Sequence, residues 1–503
     1  MAYTICFLTA FGVLLFFLVY GLMHVSSTDA YFNCNRQLGW LEFGNSFAAA
    51  STSLATVLFF FVTLGLTNGL YILFSPLSFL IGTEFFNRMM LPRLKRQGYC
   101  VANEGDSTIG NTLGEYIKQR YDSQLVKYVV LGITLLGILS IMLIELYVGV
   151  QIFDIFLKPE YEEYALYFIA IVTFIYTGLG GLNAVVKTDK IQFFFMAFTA
   201  FILVAYLLAV NDHTIGWRSL FPKIINEDGE SVLSWQLYLN MMVVNIFLVP
   251  SLLRNWQLIA ATKSETEIKH GFRNGVALTA GISFLFVIFG IIFFNVYSEA
   301  PLSMNGILTT MAESSSIALS NILFPMLFAA CLMALLSTMD SSLLPVVQCL
   351  AYDIFPRPKL RKRKKMYSIY MVATLLISLL LYVVVFKHFK FDIVSWLFTI
   401  FSLVTISSPA ILFGCFGKEE ILRNKLMQYS TAIITIIGLG IALGISFAGN
   451  SPDGESDLSI IQLNTPIAIA VSSCLMCIVY KYISISSKQL GLCLKLLVQG
   501  IFK

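Results

Sequence analysis

The chain has 503 residues, of which 57% are hydrophobic and only 12% charged, and its mean hydropathy is +0.80. A soluble chain of this length carries about 25% charged residues, so composition excludes a soluble enzyme and leaves a protein that crosses a membrane many times. The formal net charge is only +4, and the placement of the charges says more than their sum.

About twenty apolar residues cross a bilayer as a helix. On that rule thirteen spans follow in chain order, at 3–22, 43–67, 69–91, 127–150, 164–185, 189–209, 234–254, 275–297, 320–344, 366–387, 391–415, 427–448 and 464–483. No basic residue precedes the first, so it reads as a retained span and not a secretory signal. An odd number of spans puts the termini on opposite faces. One set of connecting segments holds 28 of the 33 Lys and Arg, including the run RPKLRKRKK (357–365). The other set holds 5 and carries the acidic stretches PEYEEY (159–164), NEDGE (226–230) and PDGESD (452–457). Basic residues accumulate on the cytoplasmic side. The expectation is a plasma (inner) membrane protein with its amino terminus outside and its carboxyl terminus in the cytoplasm. No stretch reads as a separate soluble domain. The longest polar segment, 92–126, contains TLGEYIKQRYDS (112–123), which reads as a short interfacial helix. The basic tail 484–503 reads as lying on the inner membrane surface.

The polar residues inside spans carry the functional signal, since such residues face a bundle interior or a watery cavity. In the second span, GNSFAAASTSLAT (44–56) contains an unbroken small run from Ala48 to Ser53. Such a helix lets partners approach closely, and it can also unwind locally and expose carbonyls to a coupling ion. Glu84 and Arg88, one turn apart in the third span, read as a structural pair. Glu145 is the most isolated intramembrane acid: a proton site, a solute contact or the partner of a polar neighbour. In GLGGLNAVVKTDKIQ (178–192) the glycines can loosen the end of the fifth span, and Asp189 is expected to open the sixth, where a carboxylate favours a helix amino terminus. In the ninth span Ala334, Ser337 and Thr338 share one face. They offer two hydroxyls and a backbone carbonyl, either for close packing or for a hard monovalent cation such as Na⁺. Cys474 and Cys477 form a CxxC inside an apolar helix and read as packing residues. The nine cysteines are expected to be free thiols, and His24, His213, His270 and His388 form no cluster.

Taken together, DAYFNCNRQLGW (29–40), GLGGLNAVVKTDKIQ, RNWQLIAATKSETEIKHG (254–271) and LLSTMDSSLL (335–344) resemble, in order and topology, the sodium:solute symporter family of bacterial proline, pantothenate and galactose symporters. The resemblance runs from about residue 30 to about 415. It implies an all-α, leucine-transporter-like core of two inverted five-helix repeats, 43–209 and 234–415. A first helix with a cytoplasmic loop (1–42) precedes them, and two helices with a tail (416–503) follow. It also implies a Na⁺ site between the second and ninth spans, formed by carbonyls near Ala49 and Thr52, the Ala334 carbonyl, and the Ser337 and Thr338 hydroxyls. Asp189 matches the aspartate on the inner sodium path, and Asp340 matches the motif aspartate that supports the site. The chain departs from the pattern at Asn33–Cys34–Asn35, where a glycine pair is usual, and at Lys187. The second and third spans offer only Thr56 and Ser75 as polar side chains for a sugar, which argues against a galactose-type site.

The function expected is a Na⁺-coupled symporter, not an enzyme, importing a small polar organic solute by alternating access. Ser51, Thr56, Glu145, Asn240 and Asn245 are the candidate solute-lining residues, the two asparagines because the seventh span is the repeat-mate of the second. Na⁺, the solute and the lipid bilayer are the partners expected, with no nucleic acid. Two alternatives stay open: a proton-coupled carrier using Glu145 or Asp340, and a membrane sensor built on a transporter fold. The solute, its stoichiometry with Na⁺, a second ion site and the oligomeric state are not fixed by the sequence.

Overall fold

The structure is a computed structural model that describes residues 2–21, 28–99, 112–157, 162–210, 220–221, 234–297, 304–314, 316–355, 364–388, 393–450 and 457–501. Most of the basic run 357–365, the acidic stretches 226–230 and 452–456, and His24 and His213 lie outside these residues.

The main helices are α1 (Ala2–Gly21), α2 (Trp40–Ser51), α3 (Leu54–Phe61, continued through Val62–Asn68), α4 (Gly69–Arg96), α5 (Leu113–Tyr121), α6 (Gln124–Leu157), α7 (Glu162–Val210) and α8 (Trp235–Ser251). They continue as α9 (Leu253–Ala261), α10 (Glu265–Val296), α11 (Leu319–Ile354), α12 (Lys364–His388), α13 (Ile393–Thr405), α14 (Ser408–Phe416), α15 (Lys425–Ala448) and α16 (Asn464–Ile501). Among the described residues nine helices are long and apolar enough to span, or eleven if each of two bent pairs counts as one span. Each of the thirteen expected spans falls on one of the helices named above. The tail continues α16 as helix up to Ile501 and does not turn away after the last span.

Helix α11 is the axis of the bundle. From Phe324 to Cys349 every residue except Met326 is buried, so its Ser and Thr hydroxyls meet protein, not lipid. The outer helices show the reverse pattern. On α15, Tyr429, Ile433, Ile436 and Ile437 are exposed along one face, as suits a surface solvated by acyl chains. Inside a membrane, helices associate by close packing more than by water exclusion. Accordingly, α2 packs on α10 with Gly271 and Gly275 against the rings of Phe43 and Phe47.

Three spans are broken, each for a local reason. Between α2 and α3 the chain bends by 62° at Thr52 (φ −91°, ψ 63°) and Ser53 (φ −76°, ψ 155°). Here side chains replace helical bonds: Thr52 Oγ1 donates to the Ala48 carbonyl at 2.8 Å, and Ser53 Oγ accepts from the Thr56 amide at 3.0 Å. Between α8 and α9 the bend is 47°, just after Pro250, which has no amide hydrogen to donate. The freed carbonyls are taken by Asn255 Nδ2, 2.8 Å from Val249 O, and by Trp256 Nε1, 2.8 Å from Pro250 O.

The third break, in α7, falls at Gly181 (φ 58°, ψ −160°), a conformation open only to glycine. A Cβ there would stand 2.6 Å from the Tyr31 carbonyl oxygen. Tyr31 holds the break from outside, its hydroxyl donating to Gly178 O at 3.2 Å and Thr177 O at 3.3 Å. Gly181→Ala is expected to lose about 1–3 kcal/mol, read as a lower melting temperature of the purified protein.

Candidate ion and solute site

Where α3 begins, its first amides have no helical partner and mark the positive end of a half-helix. Glu145, midway along α6 and 1% exposed, meets them: Oε2 accepts from Leu54 N at 3.2 Å and Oε1 from Ala55 N at 3.3 Å. Where α2 ends, its last carbonyls mark the negative end of the other half-helix. Arg254, the second residue of α9, donates through Nη1 to the Ala50 carbonyl and through Nη2 to Ser51 Oγ at 3.0 Å. The break is thus flanked by one acid and one base, each supplied by a different helix and each matching the dipole it faces.

A second cluster lies where α2, α7 and α11 pack together. Both oxygens of Asp189, fully buried, accept serine hydroxyls: Ser46 Oγ on Oδ2 at 2.5 Å and Ser337 Oγ on Oδ1 at 2.7 Å. The expectation that Asp189 opens a helix is corrected. The break is at Gly181, so Asp189 sits two turns inside the second part of α7, and its partners are hydroxyls, not a helix end. Thr338 Oγ1 donates to the Ala334 carbonyl at 3.0 Å. The Thr52 amide reaches both Ala48 O at 2.9 Å and Ala49 O at 3.1 Å. Asp340 accepts the Tyr176 hydroxyl on Oδ2 and Ser341 Oγ at 3.1 Å on Oδ1. Both α2 and α3 pack on α11, so the two expected ion-binding stretches are neighbours.

Beside the break lies a cavity of about 130 Å³ lined from α2, α3, α4, α6, α8, α9, α10, α11 and α13, Arg254 among its lining residues. Ser51, Thr56, Glu145, Asn240, Asn245 and Thr338 all line it; Ala49, Ser337 and Asp340 do not. The asparagines are engaged elsewhere. Asn240 Nδ2 donates to Gln462 O at 2.6 Å and contacts Asn464 Oδ1 at 3.3 Å, tying α8 to the start of α16. Asn245 Nδ2 donates to Ser75 O at 3.0 Å and Ser78 Oγ at 2.8 Å, tying α8 to α4. Their amide groups join helices. Three participants went unread in the sequence. Ser53 gave a signal, as the last residue of the small run. Arg254 stands in the quoted RNWQ stretch but was counted among inner-side basic residues. Tyr176 gave none.

The model of the sodium:solute symporter family matches residues 31–420. The chain belongs to this family. It is a membrane transporter and not an enzyme. Against curated protein sequences this symporter has no match. Among solved structures it is similar to a Na⁺-coupled sialic acid symporter in a substrate-bound outward-open state, at 16% identity over 94% of this chain and 98% of that one, with a TM-score of 0.73. A manganese transporter of Eremococcus coleocola follows at 13% identity over 92% and 100% of the two chains, with a TM-score of 0.50. The fold is the leucine-transporter-like one expected from the sequence.

Other features of the symporter are structural. Glu84 pairs with Arg88 at 2.7 Å and with Arg273 of α10 at 2.5 Å. Cys474 and Cys477 are free and exposed on α16 rather than packed. Among the described residues no three His, Cys, Asp or Glu form a metal-binding group.

Proposed function

We propose that this symporter couples the uptake of a small organic solute to Na⁺ by alternating access. Na⁺ is held by the carbonyls of Ala49, Thr52 and Ala334 and the hydroxyls of Ser337 and Thr338, and the solute by the cavity beside them. Ser51, Thr56 and Glu145 line the solute's polar side. The observation that supports this most is the break at Thr52–Ser53 packed on the hydroxyl-bearing face of α11: backbone carbonyls leave helical register beside two hydroxyls, all inside the protein. Ser337 donates its proton to Asp189, which leaves its oxygen lone pairs for a cation and places a carboxylate one bond behind it. In the proposed division, 43–209 and 234–415 form the inverted halves. A break in the first span of each, at Thr52 and near Pro250, supports it. With the amino terminus outside, a potential of 100 mV adds about 2.3 kcal/mol per charge moved inward.

The test needs no solute. A ligand that binds only the folded state stabilises it by RT ln(1 + [L]/Kd), about 2.7 kcal/mol at a hundred times Kd. The melting temperature is expected to be higher in NaCl than in KCl or choline chloride. Thr338→Ala should melt like wild type in KCl, because among the described residues its hydroxyl bonds only within its own helix, and should lose the Na⁺ increment. Equal melting in all three salts would overturn the sodium reading in favour of a proton-coupled carrier. In the structure both oxygens of Glu145 and of Asp340 accept hydrogen bonds.

A further inference from the structure

The cavity contains two charged side chains, and their situations differ. Glu145 faces the positive end of α3 and has a backbone amide on each oxygen. Arg254 has no carboxylate within ion-pair range among the described residues. Asp189 acts on it only from beyond that range. Among the described residues each terminal nitrogen of Arg254 makes one bond, to Ala50 O and to Ser51 Oγ, and Nε is buried with no partner. A guanidinium carries five hydrogens in a planar fork. A cation held out of water without a counter-ion is costly, and a carboxylate relieves that cost best, by taking two parallel N–H bonds from one edge of the fork.

The rest of the wall is largely apolar. Phe60, Phe61, Phe79, Phe398 and Phe401 line it. The cavity volume of about 130 Å³ resembles that of a cavity which admits benzene. A ligand matching these walls has one charged end and a compact apolar body.

We infer that the solute of this symporter is an organic carboxylate with a small apolar body, anchored through its carboxylate by Arg254. The inference rests on the cavity being the solute site. It assigns the class of solute that the sequence left open and makes Arg254 the specificity-determining residue. Arg254 is then more than a cap on α2: it moves its unused fork edge onto the incoming anion while keeping its hold on the helix end.

The test uses the full chain in detergent and acid–amide pairs of equal shape: benzoate with benzamide, isovalerate with isovaleramide, and lactate with lactamide. Phenethylammonium and nitrate are added as controls for charge sign and for inorganic anions. In NaCl, at least one acid is expected to raise the melting temperature and its amide to do so far more weakly. A charge-assisted pair is worth roughly 10- to 100-fold in affinity, and Arg254→Gln should remove that preference while Arg254→Lys keeps part of it. The preference is a ratio within one variant, so a general loss of stability does not imitate it. Stabilisation by no acid, by amides as strongly as acids, by phenethylammonium alone, or by nitrate as strongly as the acids would each overturn the inference. So would an acid preference that survives Arg254→Gln. If Arg254→Gln does not melt cooperatively, an acid preference undiminished in Arg254→Lys overturns it instead. Failure of the sodium reading shows separately, as the absence of a Na⁺ increment before any solute is added.

Discussion

Asp189→Asn is expected to raise the Na⁺ concentration needed for half-maximal stabilisation by roughly 10- to 100-fold while leaving the melting temperature in KCl nearly unchanged. The two halves of this expectation come from different properties of one side chain. As a hydrogen-bond acceptor Asp189 joins α7 to α2 through Ser46 and to α11 through Ser337. An asparagine has the same shape, and serine hydroxyls both donate and accept, so the join re-forms with one bond reversed. The negative charge is not replaced. A carboxylate hydrogen-bonded to a hydroxyl that itself faces a cation contributes on the scale of a charge-assisted interaction, about 1.5–3 kcal/mol, which is the quoted shift in affinity. Asp189→Ala is the contrast: it removes both bonds, leaves Ser46 and Ser337 without a partner in a dry interior, and should lower stability in every salt. Titration of the melting temperature with NaCl at constant ionic strength, for both variants, separates the two effects. An Asn variant with wild-type sodium dependence would remove Asp189 from the ion path.

How far the sequence could be read depends on where each residue's partner lies. The spans were legible because twenty apolar residues have few alternatives. The break after Ser51 was legible because Ala48–Ser53 lacks the bulk to fill a helix interface and ends in Ser51–Thr52–Ser53, whose hydroxyls compete for backbone groups. The face of α11 was legible because Ala334, Ser337 and Thr338 recur at helical spacing. Partners set by the fold were not. Glu145 is satisfied by two backbone amides about ninety residues away in the chain, and no side-chain pattern announces a backbone partner. Asn240 and Asn245, expected to line the solute, line the cavity, but the acceptors that hold their amides lie at α16 and α4. For Asp189, three glycines and an aspartate marked a break without saying which residue would take it. The approach of the Tyr31 carbonyl chose Gly181 and carried Asp189 into the helix interior. Arg254 shows the limit most plainly. An arginine at the edge of an apolar run reads as a cytoplasmic anchor, and only the bend after Pro250 turns α9 so that its guanidinium meets the end of α2.

At the other end of the bundle, Asp353→Asn is expected to be among the most destabilising single exchanges, costing about 3–5 kcal/mol. Lys127 and Asp353 form an ion pair at 3.2 Å with side chains only 6% and 1% exposed. Removing one partner strands a charge in a medium that cannot solvate it, which carries a penalty of about that size. Asp353 also accepts the hydroxyl of Thr112 at 2.8 Å, and Thr112 in turn caps α5 by accepting the Glu115 amide at 3.2 Å. The pair therefore fixes the start of α5 against α6 and α11. The far end of α5 is fixed by Arg120, whose Nε and Nη2 donate to the carbonyls of Gly414 at 2.7 Å and Gly417 at 2.9 Å, and by the Tyr121 hydroxyl, 2.8 Å from Ala410 O. The helix expected at the interface is in this way bolted at both ends to spans far apart in sequence. Replacing both charges, Lys127→Met with Asp353→Leu, removes the desolvation cost along with the attraction and should recover most of the stability. What remains lost, about 1 kcal/mol, is the Thr112 bond. The check is a double-mutant cycle on melting temperature in KCl, where the single exchange should fall by roughly 3–5 °C and the double by much less. Equal losses in the single and double variants would show that the pair is not the source of the stability. A cycle that closes as expected, with transport slowed only in the single variant, would place the pair in the scaffold and not in the moving parts.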